Sequence, residues 1–432
     1  MNGNDFCEML RPSEAPNREY LHLNFVWPTA TRMGLNQTVI MEADPNGETF
    51  HIKEGRMKIR IGKDAIKTRR RDIPMEEWDD VYARYLSKKY IVYSEKPLEI
   101  KKISSGQADS LNVDGEQFAK IKDPDADSLV RKLLDYARHA VEETFDTKRI
   151  EEIPEKMVAA SKVILNALAE KASQMSVAEF NTLLNTLYAV LPRRQDTIKN
   201  AAREADFAEI IEKEQDIFDV VTSQMNDATL AKTSAGKTIL EAYGLEVRAV
   251  TDEEEAYIRK KLAGNAHQYK RAWKVSNKKT EDDFNRFVET ELKGIERPVR
   301  RLFHGSRSEN FWSIITTGLN IRPTGVVITG KMFGNGTYFA PDACKSLGYT
   351  SRCGSRWANG SDSVGYLGIY KVAVGRPCQP SHAGGYTYEA LRKDGYHSVW
   401  CSRGGQIGLR MDEVVVYQNC QSTVEYLVEV SC

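Results

Sequence analysis

The sequence predicts an α+β protein built from several domains, and three observations support this. The chain has 432 residues, which is too long for one ordinary core. From about Asp125 to Asp227 its apolar residues recur almost continuously at helical spacing. After Tyr243, glycines, aromatics and short alternating segments take over. We therefore predict a small α/β domain, an all-α bundle and an antiparallel β-rich domain, in that order.

The charge is balanced overall but unevenly distributed. From Lys53 to Lys102 there are fifteen Lys and Arg residues against nine Asp and Glu. From Asp125 to Asp227 the count is thirteen against twenty. A basic first segment could face phosphates, although two ordinary solvated surfaces would give the same counts.

Composition also indicates where the protein resides. No apolar run approaches the roughly 20 residues of a membrane helix, and MNGNDFCEMLRPSEAP lacks the basic and apolar parts of a secretory signal. The seven cysteines include no CxxC pair and no Cys/His cluster at zinc spacing. We therefore predict reduced thiols in an intracellular protein, with no membrane partner and no metal.

The first hundred residues mix strand and helix patterns. TVIMEAD and MKIRIG alternate as half-buried strands do, with the turn DPNGE between them. MEEWDDVYARYLSKKY has helical spacing, with Trp78, Tyr82 and Tyr85 on one face. SSGQADSLNVDGE is polar and contains glycine, which is typical of a linker. We place the first domain at 1–105 and a linker at 106–124.

The middle of the chain is predicted to be a helical bundle at 125–228. DSLVRKLLDYARHAVEETF begins with an Asp/Ser cap and aligns Leu129, Leu133, Tyr136 and Ala140 on one stripe. IPEKMVAASKVILNALAEKA, VAEFNTLLNTLYAVLP and ADFAEIIEKEQDIFDVVTSQM repeat the pattern. Because no segment between them resembles a strand, we expect antiparallel helices.

The segment AKTSAGKT, Ala231–Thr238, fits a relaxed P-loop pattern. A P-loop needs a strand before it and a helix after it, so that backbone N–H groups surround a phosphate. A helical segment precedes it here, so we interpret it as a loop.

The third domain, 229–432, contains short alternating segments and one clear helix. The alternating segments include LEVRAV, RRLFHG, GTYFA, YLGIYKVAVG, DEVVVYQN and VEYLVEV. SENFWSIITTGL has helical spacing, with Gly318 near its end.

Candidate chemistry begins at LFHGSR, where His304 precedes two nearly side-chain-free residues. A strand ending in a turn would explain this, and so would a pocket floor against which a ligand lies. GKMFGNGTYFAPDACKSLGY then interleaves four glycines with aromatics, which permits close backbone approach and stacking on a planar ring. Tyr338 and Tyr349 are the candidate stacking pair, with Ser346 between them. An aromatic hairpin packed into a β core is equally compatible.

Near the end, RMDEVVVYQN places acids at the start of an apolar strand. Alternation predicts Glu413 on the face of Val415 and Tyr417, and Asp412 on the opposite face. A buried acid is costly unless it is paired or used. Such a carboxylate could stabilise the positive charge of a sugar-cleaving transition state. An exposed acid at the start of a strand is the ordinary alternative for a single glutamate.

Together, LFHGSRSENF, GLNIRP, TGKMFGNGTYFAPDACKSLGY, YHSVW and DEVVVY resemble the catalytic domain of poly(ADP-ribose) polymerases. That family's histidine, tyrosine and glutamate signature falls on His304, Tyr338 and Glu413. The resemblance implies an enzyme that cleaves NAD+ between nicotinamide and ribose. It implies transfer of ADP-ribose to protein acceptors, including the enzyme itself, with NAD+ as substrate and no metal.

The resemblance also assigns roles to individual residues. Glu413 would hydrogen-bond a ribose hydroxyl, stabilise the oxocarbenium-like charge and help activate the acceptor. His304 would bind a ribose hydroxyl on the adenosine side, and Tyr338 and Tyr349 would sandwich the nicotinamide ring. The remaining expected contacts to NAD+ come from Gly305 through its backbone, Ser346, Ser306 and Asn310.

The preceding domains resemble those of DNA-dependent members of the family. Residues 125–228 resemble the helical regulatory domain, which shields the NAD+ site until nucleic acid binding loosens it. Residues 1–105 resemble a WGR domain, although Glu54 stands where the motif expects a tryptophan. The resemblance implies activation by DNA breaks, and the basic segment suggests DNA contacts by Arg56, Lys67, Arg69, Arg70 and Arg71.

Three further departures bear on the product. Asn320 replaces a common arginine, with Arg322 nearby, Lys331 replaces an aromatic on the acceptor side, and the loop 380–410 is short. Mono-ADP-ribosylation, NAD+ hydrolysis and a catalytically silent DNA-binding scaffold therefore stay open as alternatives. We expect a nuclear protein if the source is eukaryotic and a cytoplasmic one if it is bacterial or viral.

Overall fold

The computed structural model describes residues 10, 18–26, 36–56, 66–96, 112–113, 116–145, 153–191, 193–194, 197–321, 332–355 and 360–432. These residues combine α-helices with largely antiparallel sheets, as the predicted α+β class requires. The chain divides into two compact units, residues 1–105 with 140–222 and residues 106–139 with 223–432. Among the described residues, no helix combines the length and apolarity needed to cross a membrane.

The first unit contains a five-stranded antiparallel sheet of order β4-β3-β2-β1-β5. Its strands are β1 (Tyr20–Val26), β2 (Asn36–Ala43), β3 (Thr49–Arg56), β4 (Ile66–Pro74) and β5 (Ile91–Ser94). Helix α1 (Trp78–Ser87) packs against this sheet, and its buried Trp78 meets Phe50 at 4.9 Å between ring centroids.

Most of the local predictions for the first hundred residues are confirmed. TVIMEAD lies in β2, the turn at 44–48 is closed by Gly47 N–H donating to the Asp44 carbonyl, and α1 is a helix. The strand that follows this turn and pairs with β2 is Thr49–Arg56. The predicted strand MKIRIG lies outside the described residues.

A short strand pair, β6 (Asn112–Val113) and β7 (Glu116–Gln117), precedes the helical segment. The predicted helices are present, and their bounds are α2 (Pro124–Thr144), α3 (Glu155–Lys171), α4 (Val177–Val190) and α5 (Phe207–Thr233). Within the first unit, Phe180 stacks on Phe207 at 3.9 Å. Within the second unit, Leu129 and Leu133 join the apolar core, as the stripe predicted.

The second unit holds the remaining strands and helices. The strands are β8 (Leu245–Ala249), β9 (Tyr269–Asn277), β10 (Val299–Gly305), β11 (Thr337–Phe339), β12 (Val364–Ala373), β13 (Pro377–Cys378), β14 (Ser398–Cys401), β15 (Glu413–Val416) and β16 (Ser422–Ser431). The helices are α6 (Ile239–Tyr243), α7 (Asp252–Leu262), α8 (Lys278–Glu291), α9 (Phe311–Thr317), α10 (Ala343–Leu347) and α11 (Tyr388–Lys393). Short 3-10 helices lie at Met75–Glu77, Ala172–Gln174 and Glu204–Asp206 in the first unit, and at Ala263–Gln268, Ser308–Asn310 and Asn419–Gln421 in the second.

These strands form two sheets, of order β10-β12-β16-β9-β8 and β11-β15-β14-β13. Phe303 of β10 and Ala340, just after β11, exchange two backbone hydrogen bonds of 2.8 and 2.9 Å, which join the two sheets. Among the described residues, the strand pairs of this unit are antiparallel, as predicted, except that β13 and β14 run parallel. The chain between them forms α11, and a crossover of this kind permits parallel pairing.

Two smaller predictions are also confirmed. In the P-loop-like segment, α5 continues to Thr233 and Thr238 caps α6, so a helix precedes the loop. Helix α9 ends at Gly318, whose φ of 87° lies in the region that favours glycine.

The prediction of reduced thiols is wrong for one pair of cysteines. Cys353 and Cys432 form a disulfide with Cα atoms 5.7 Å apart, across 79 residues of sequence. Beside the disulfide, Cys353 N–H donates to the Asp362 carbonyl at 2.7 Å. The free cysteines among the described residues are Cys344, Cys378, Cys401 and Cys420.

Candidate active site

His304 is half-buried near the end of β10, and the Tyr338 backbone sets its orientation. Its Nδ1 lies 2.9 Å from the Tyr338 carbonyl oxygen. A carbonyl can only accept a hydrogen bond, so Nδ1 carries a proton and donates this bond. The ring packs beside Phe339 and Tyr370, at centroid distances of 5.7 and 5.9 Å.

Gly305 is required by its neighbour Ser346. A Cβ atom at position 305 would lie 1.9 Å from the Ser346 carbonyl oxygen, so a side chain there would push α10 away. Helix α10 begins after Asp342, whose carboxylate accepts a hydrogen bond from Cys344 N–H at 2.8 Å. The close approach places buried Ser346 directly against the end of β10.

The turn after Gly305 presents a buried acceptor. Asn310 Nδ2 donates to Ser306 Oγ at 3.1 Å, whereas Asn310 Oδ1 has no hydrogen-bond partner among the described residues. Ser308 N–H donates to Ser351 Oγ at 2.8 Å and so joins this turn to the segment after Tyr349. Because an unpaired buried acceptor is costly, Asn310 Oδ1 is suited to receive a donor from a ligand.

Tyr338 is fixed by the backbone just before it, whereas Tyr349 is exposed. The Tyr338 hydroxyl donates to the Gly334 carbonyl at 2.8 Å and accepts from Phe333 N–H at 3.0 Å. Burial raises the pKa of Tyr338 well above its ordinary value, and the nearby Glu413 adds to that rise. The Tyr349 side chain is 43% exposed, so it can offer a ring face at the surface.

Glu413 is the first residue of β15, and only 8% of it is exposed. The alternative of an exposed acid is therefore excluded. Val415 and Tyr417 enter one apolar cluster, while Val414 and Val416 enter another, as the predicted alternation requires. Strand β15 pairs with β11 through Val415 and Tyr338, which connects Glu413 with the tyrosine motif.

Two residues beside Glu413 are missing from the sequence prediction. Lys345 of α10 holds its Nζ 2.5 Å from Glu413 Oε1. The sequence signal for Lys345 was its place in GKMFGNGTYFAPDACKSLGY, directly before Ser346. Cys401 of β14 lies opposite Glu413 in the strand pairing, and burial raises the pKa of its thiol.

The predicted DNA-contacting residues lie in the first unit, away from these groups in sequence. Arg69, Arg70 and Arg71 are exposed on β4, an edge strand. Arg69 Nε lies 3.8 Å from the Glu54 carboxylate, which also accepts a hydrogen bond from the Tyr85 hydroxyl. Exposed cations on an edge strand also prevent edge-to-edge pairing, so their position is compatible both with DNA contacts and with protection of the sheet edge.

The other predicted residues are described only in part. Arg56 ends β3 and Lys67 lies in β4, but their side chains are not among those described. Arg322 and Lys331 lie outside the described residues. Asn320 is exposed, and its Nδ2 donates to Thr317 Oγ1 at 3.2 Å.

Comparison with known proteins identifies the family. Residues 253–400 match the poly(ADP-ribose) polymerase catalytic domain and contain every predicted NAD+-site residue except Glu413. The chain is 32% identical over 166 residues to the poly(ADP-ribose) polymerase-like protein 100L of Invertebrate iridescent virus 6, covering 36% of this chain and 83% of the viral protein. The chain belongs to the poly(ADP-ribose) polymerase family.

Two vertebrate relatives of this polymerase family match over shorter stretches. Poly(ADP-ribose) polymerase 1 of Gallus gallus is 40% identical over 98 residues, which is 23% of this chain and 9% of that protein. Poly(ADP-ribose) polymerase 2 of Homo sapiens is 40% identical over 75 residues, which is 17% of this chain and 12% of that protein. The matched region therefore spans only a small part of these larger relatives.

The poly(ADP-ribose) polymerase catalytic domain of this chain is an NAD+ ADP-ribosyltransferase, and NAD+ is its substrate. The residues present suit that substrate in three respects. His304 Nδ1 donates to a backbone carbonyl, Asn310 Oδ1 is buried without a partner in the described part of the chain, and Tyr349 presents an exposed ring.

Proposed function

We propose that this chain is an NAD+-dependent protein poly(ADP-ribosyl)transferase that DNA breaks activate and that also modifies itself. The observation that carries the proposal is the buried carboxylate of Glu413. Glu413 begins β15, the strand that pairs with β11, and its carboxylate forms an ion pair with Lys345 of α10. A carboxylate held in place at the edge of an apolar strand is suited to stabilise positive charge that develops on a bound sugar.

The binding step follows from the geometry around His304. Nε2 of the imidazole hydrogen-bonds an adenosine ribose hydroxyl, and Asn310 and Ser306 extend this polar side of the site. The nicotinamide ring lies between Tyr338 and Tyr349. Its carboxamide bonds to the Gly305 backbone and to the Ser346 hydroxyl, which the close packing of these two residues keeps together.

In the chemical step, the bond between the nicotinamide nitrogen and ribose C1′ breaks. The electron pair leaves with neutral nicotinamide, and positive charge develops on the ribose. Glu413 accepts a ribose hydroxyl hydrogen bond and stabilises that charge. The acceptor oxygen then bonds to C1′ and gives up its proton, a step that Glu413 assists.

The same proposal assigns a role to each part of the chain. Residues 1–105 are a WGR-like DNA-binding domain, 106–124 a linker, 125–228 a helical regulatory domain and 229–432 the catalytic domain. Contacts within the second unit support communication between the helices and the catalytic strands. Lys132 of α2 pairs with Glu429 of β16, and Asp227 of α5 accepts a hydrogen bond from Trp312 of α9. A DNA-activated enzyme of this kind would act in the nucleus of a eukaryote, or in the cytoplasm for a bacterial or viral source.

The experiment is incubation of the full chain with labelled NAD+, with and without nicked duplex DNA, followed by gel separation. We expect labelled polymer on the protein, more of it with DNA, and a loss of about 100-fold or more in Glu413→Gln. Glu289→Gln, which changes an exposed acid on α8, is the matched control.

Each alternative has its own outcome in this assay. A single added unit would indicate mono-ADP-ribosylation, and free ADP-ribose would indicate NAD+ hydrolysis. Equal labelling with and without DNA would exclude activation by DNA breaks. A wild-type chain that releases no nicotinamide with DNA present would be the silent scaffold.

A further inference from the structure

Asp412, the residue directly before Glu413, ties both ends of the β14–β15 connection together. Its Oδ1 accepts a hydrogen bond from Arg403 N–H at 2.8 Å, and its Oδ2 accepts one from Trp400 Nε1 at 3.0 Å. Trp400 lies in β14 and Arg403 shortly after its end, whereas Asp412 immediately precedes β15. One carboxylate therefore spans the connection between the two strands.

Trp400 is itself anchored, so the connection has a fixed end. Its side chain packs against the apolar cluster that contains Val414, Val416 and Phe339. In the strand pairing, Trp400 lies opposite Val414. The indole is thus held by the core on one side while its N–H reaches Asp412 on the other.

Glu413 lies directly beside this connection. Glu413 is the first residue of a four-residue strand and lies opposite Cys401, the last residue of β14. The first and last residues of a strand fray most readily, because they have paired neighbours on one side only. Between Cys401 and Asp412 the chain makes a separate loop, closed by a 3.0 Å bond from Gly404 N–H to the Leu409 carbonyl.

We propose that Asp412 is a positioning residue, which acts with Trp400 to hold Glu413 at the start of β15 in the geometry that the reaction needs. This inference rests on the proposed function, in which Glu413 stabilises the ribose charge. Alternation directs Asp412 away from the face of Glu413, so its contribution passes through the backbone. Lys345 then meets a carboxylate whose main chain is already fixed.

The test uses the full chain with nicked DNA and the variants Asp412→Ala, Asp412→Asn, Trp400→Phe and the Trp400→Phe/Asp412→Ala double variant. Nicotinamide release gives kcat and KM for NAD+, and calorimetry with benzamide reports the nicotinamide pocket. Hydrogen exchange of the peptide covering 411–417 reports the backbone at Glu413. Asp282→Ala, which removes an exposed acid from α8, is the matched control.

We expect Asp412→Ala to lower kcat about 10- to 100-fold, since a small misplacement of a catalytic group is costly. KM and benzamide affinity should stay within about twofold, because the Gly305, Ser346 and Tyr349 pocket is built from other elements. Exchange at 411–417 should rise. Asp412→Asn keeps one oxygen acceptor and should recover part of kcat, and the double variant should match Asp412→Ala within about twofold.

Unchanged exchange in Asp412→Ala would overturn the positioning role, whether or not the chain consumes NAD+. Raised exchange with kcat within about twofold of wild type would show that Glu413 does not need the connection, and would overturn the proposal as well. Parallel losses of kcat and benzamide affinity would indicate general damage to the fold instead of positioning. A wild type that releases no nicotinamide would refute the proposed function itself.

Discussion

Lys345 and Glu413 form an ion pair in which the two side chains are only 13% and 11% exposed. Helix α10 supplies the cation and strand β15 supplies the acid, from positions far apart in sequence. A charge in such a place is tolerated because its partner is present, and it becomes expensive when the partner is removed.

The first prediction concerns this pair. Lys345→Met should destabilise the second unit by about 3 kcal/mol, because it leaves the Glu413 carboxylate buried and unpaired. Lys345→Met/Glu413→Gln should recover most of that loss, since neither charge remains. Urea denaturation measures the free energy of unfolding of both variants. Lys393→Met, which changes an exposed lysine of α11, is the control. A Lys345→Met protein as stable as wild type would contradict the predicted cost.

The second prediction concerns Asp227, a buried carboxylate with two neutral donors. It accepts hydrogen bonds from Tyr243 Oη at 2.6 Å and Trp312 Nε1 at 2.8 Å. Burial raises its pKa to about 7, although both hydrogen bonds oppose that rise. The folded chain therefore holds this proton more tightly than the unfolded chain does.

The sign of the pH dependence follows from that difference. Below about pH 4 the group is protonated in both states, and between about pH 4 and 7 only the unfolded chain ionises. This group alone lowers the free energy of unfolding by about 1.4 kcal/mol per pH unit across that window. Above about pH 7 both states are ionised and the loss is constant.

Asp227→Asn should remove this dependence. Its amide oxygen can accept from Trp312 and its NH2 can donate to the Tyr243 hydroxyl, so the contacts survive. The variant should gain stability relative to wild type as pH rises from about 4 to 7, and no more above that. Thermal midpoints across pH test this, with the exposed Asp282→Asn as control. A constant difference between variant and wild type across this window would refute the raised pKa.

The third prediction concerns the disulfide between Cys353 and Cys432. Reduction, or Cys432→Ser, should destabilise the second unit by about 2–4 kcal/mol, because the unfolded chain loses a long closed loop. A dithiol reductant should lower the melting midpoint of wild type and leave Cys432→Ser unaffected. Cys344→Ser, which alters an exposed free thiol, should respond to reductant like wild type. A wild-type midpoint that ignores reductant would mean that the bond does not stabilise the fold.

The fourth prediction concerns the basic residues of β4. Arg70→Ala and Arg71→Ala should each weaken binding to nicked duplex DNA and reduce the salt slope by about 0.9. Arg69→Ala should matter less, because Glu54 already lies 3.8 Å from that guanidinium. Glu54→Gln should strengthen binding for the same reason.

Fluorescence anisotropy over a salt series measures the DNA effects, with exposed Arg84→Ala of α1 as the control. If none of the β4 substitutions changes the salt slope, these arginines do not contact DNA. Their position would then be explained by protection of the sheet edge against pairing with another strand.

The features of the fold that could be predicted from the sequence are those that local residue patterns display. The stripe of Leu129 and Leu133 predicted a buried helix, and alternation predicted which valines share a face with Glu413. These features repeat over one or two turns of helix or a few residues of strand, so the sequence displays them directly. The motifs around His304 and Tyr338 likewise identified the family from short segments.

The sequence by itself therefore determined the helices, the faces of β15 and the membership of the poly(ADP-ribose) polymerase family. Only the tertiary structure decided that Lys345 meets Glu413, that Asp412 meets Trp400 and that Cys353 bonds to Cys432. It also decided the parallel pairing of β13 with β14. Each of these depends on strand register and on loops that bring distant residues together, and neither periodicity nor composition contains that information.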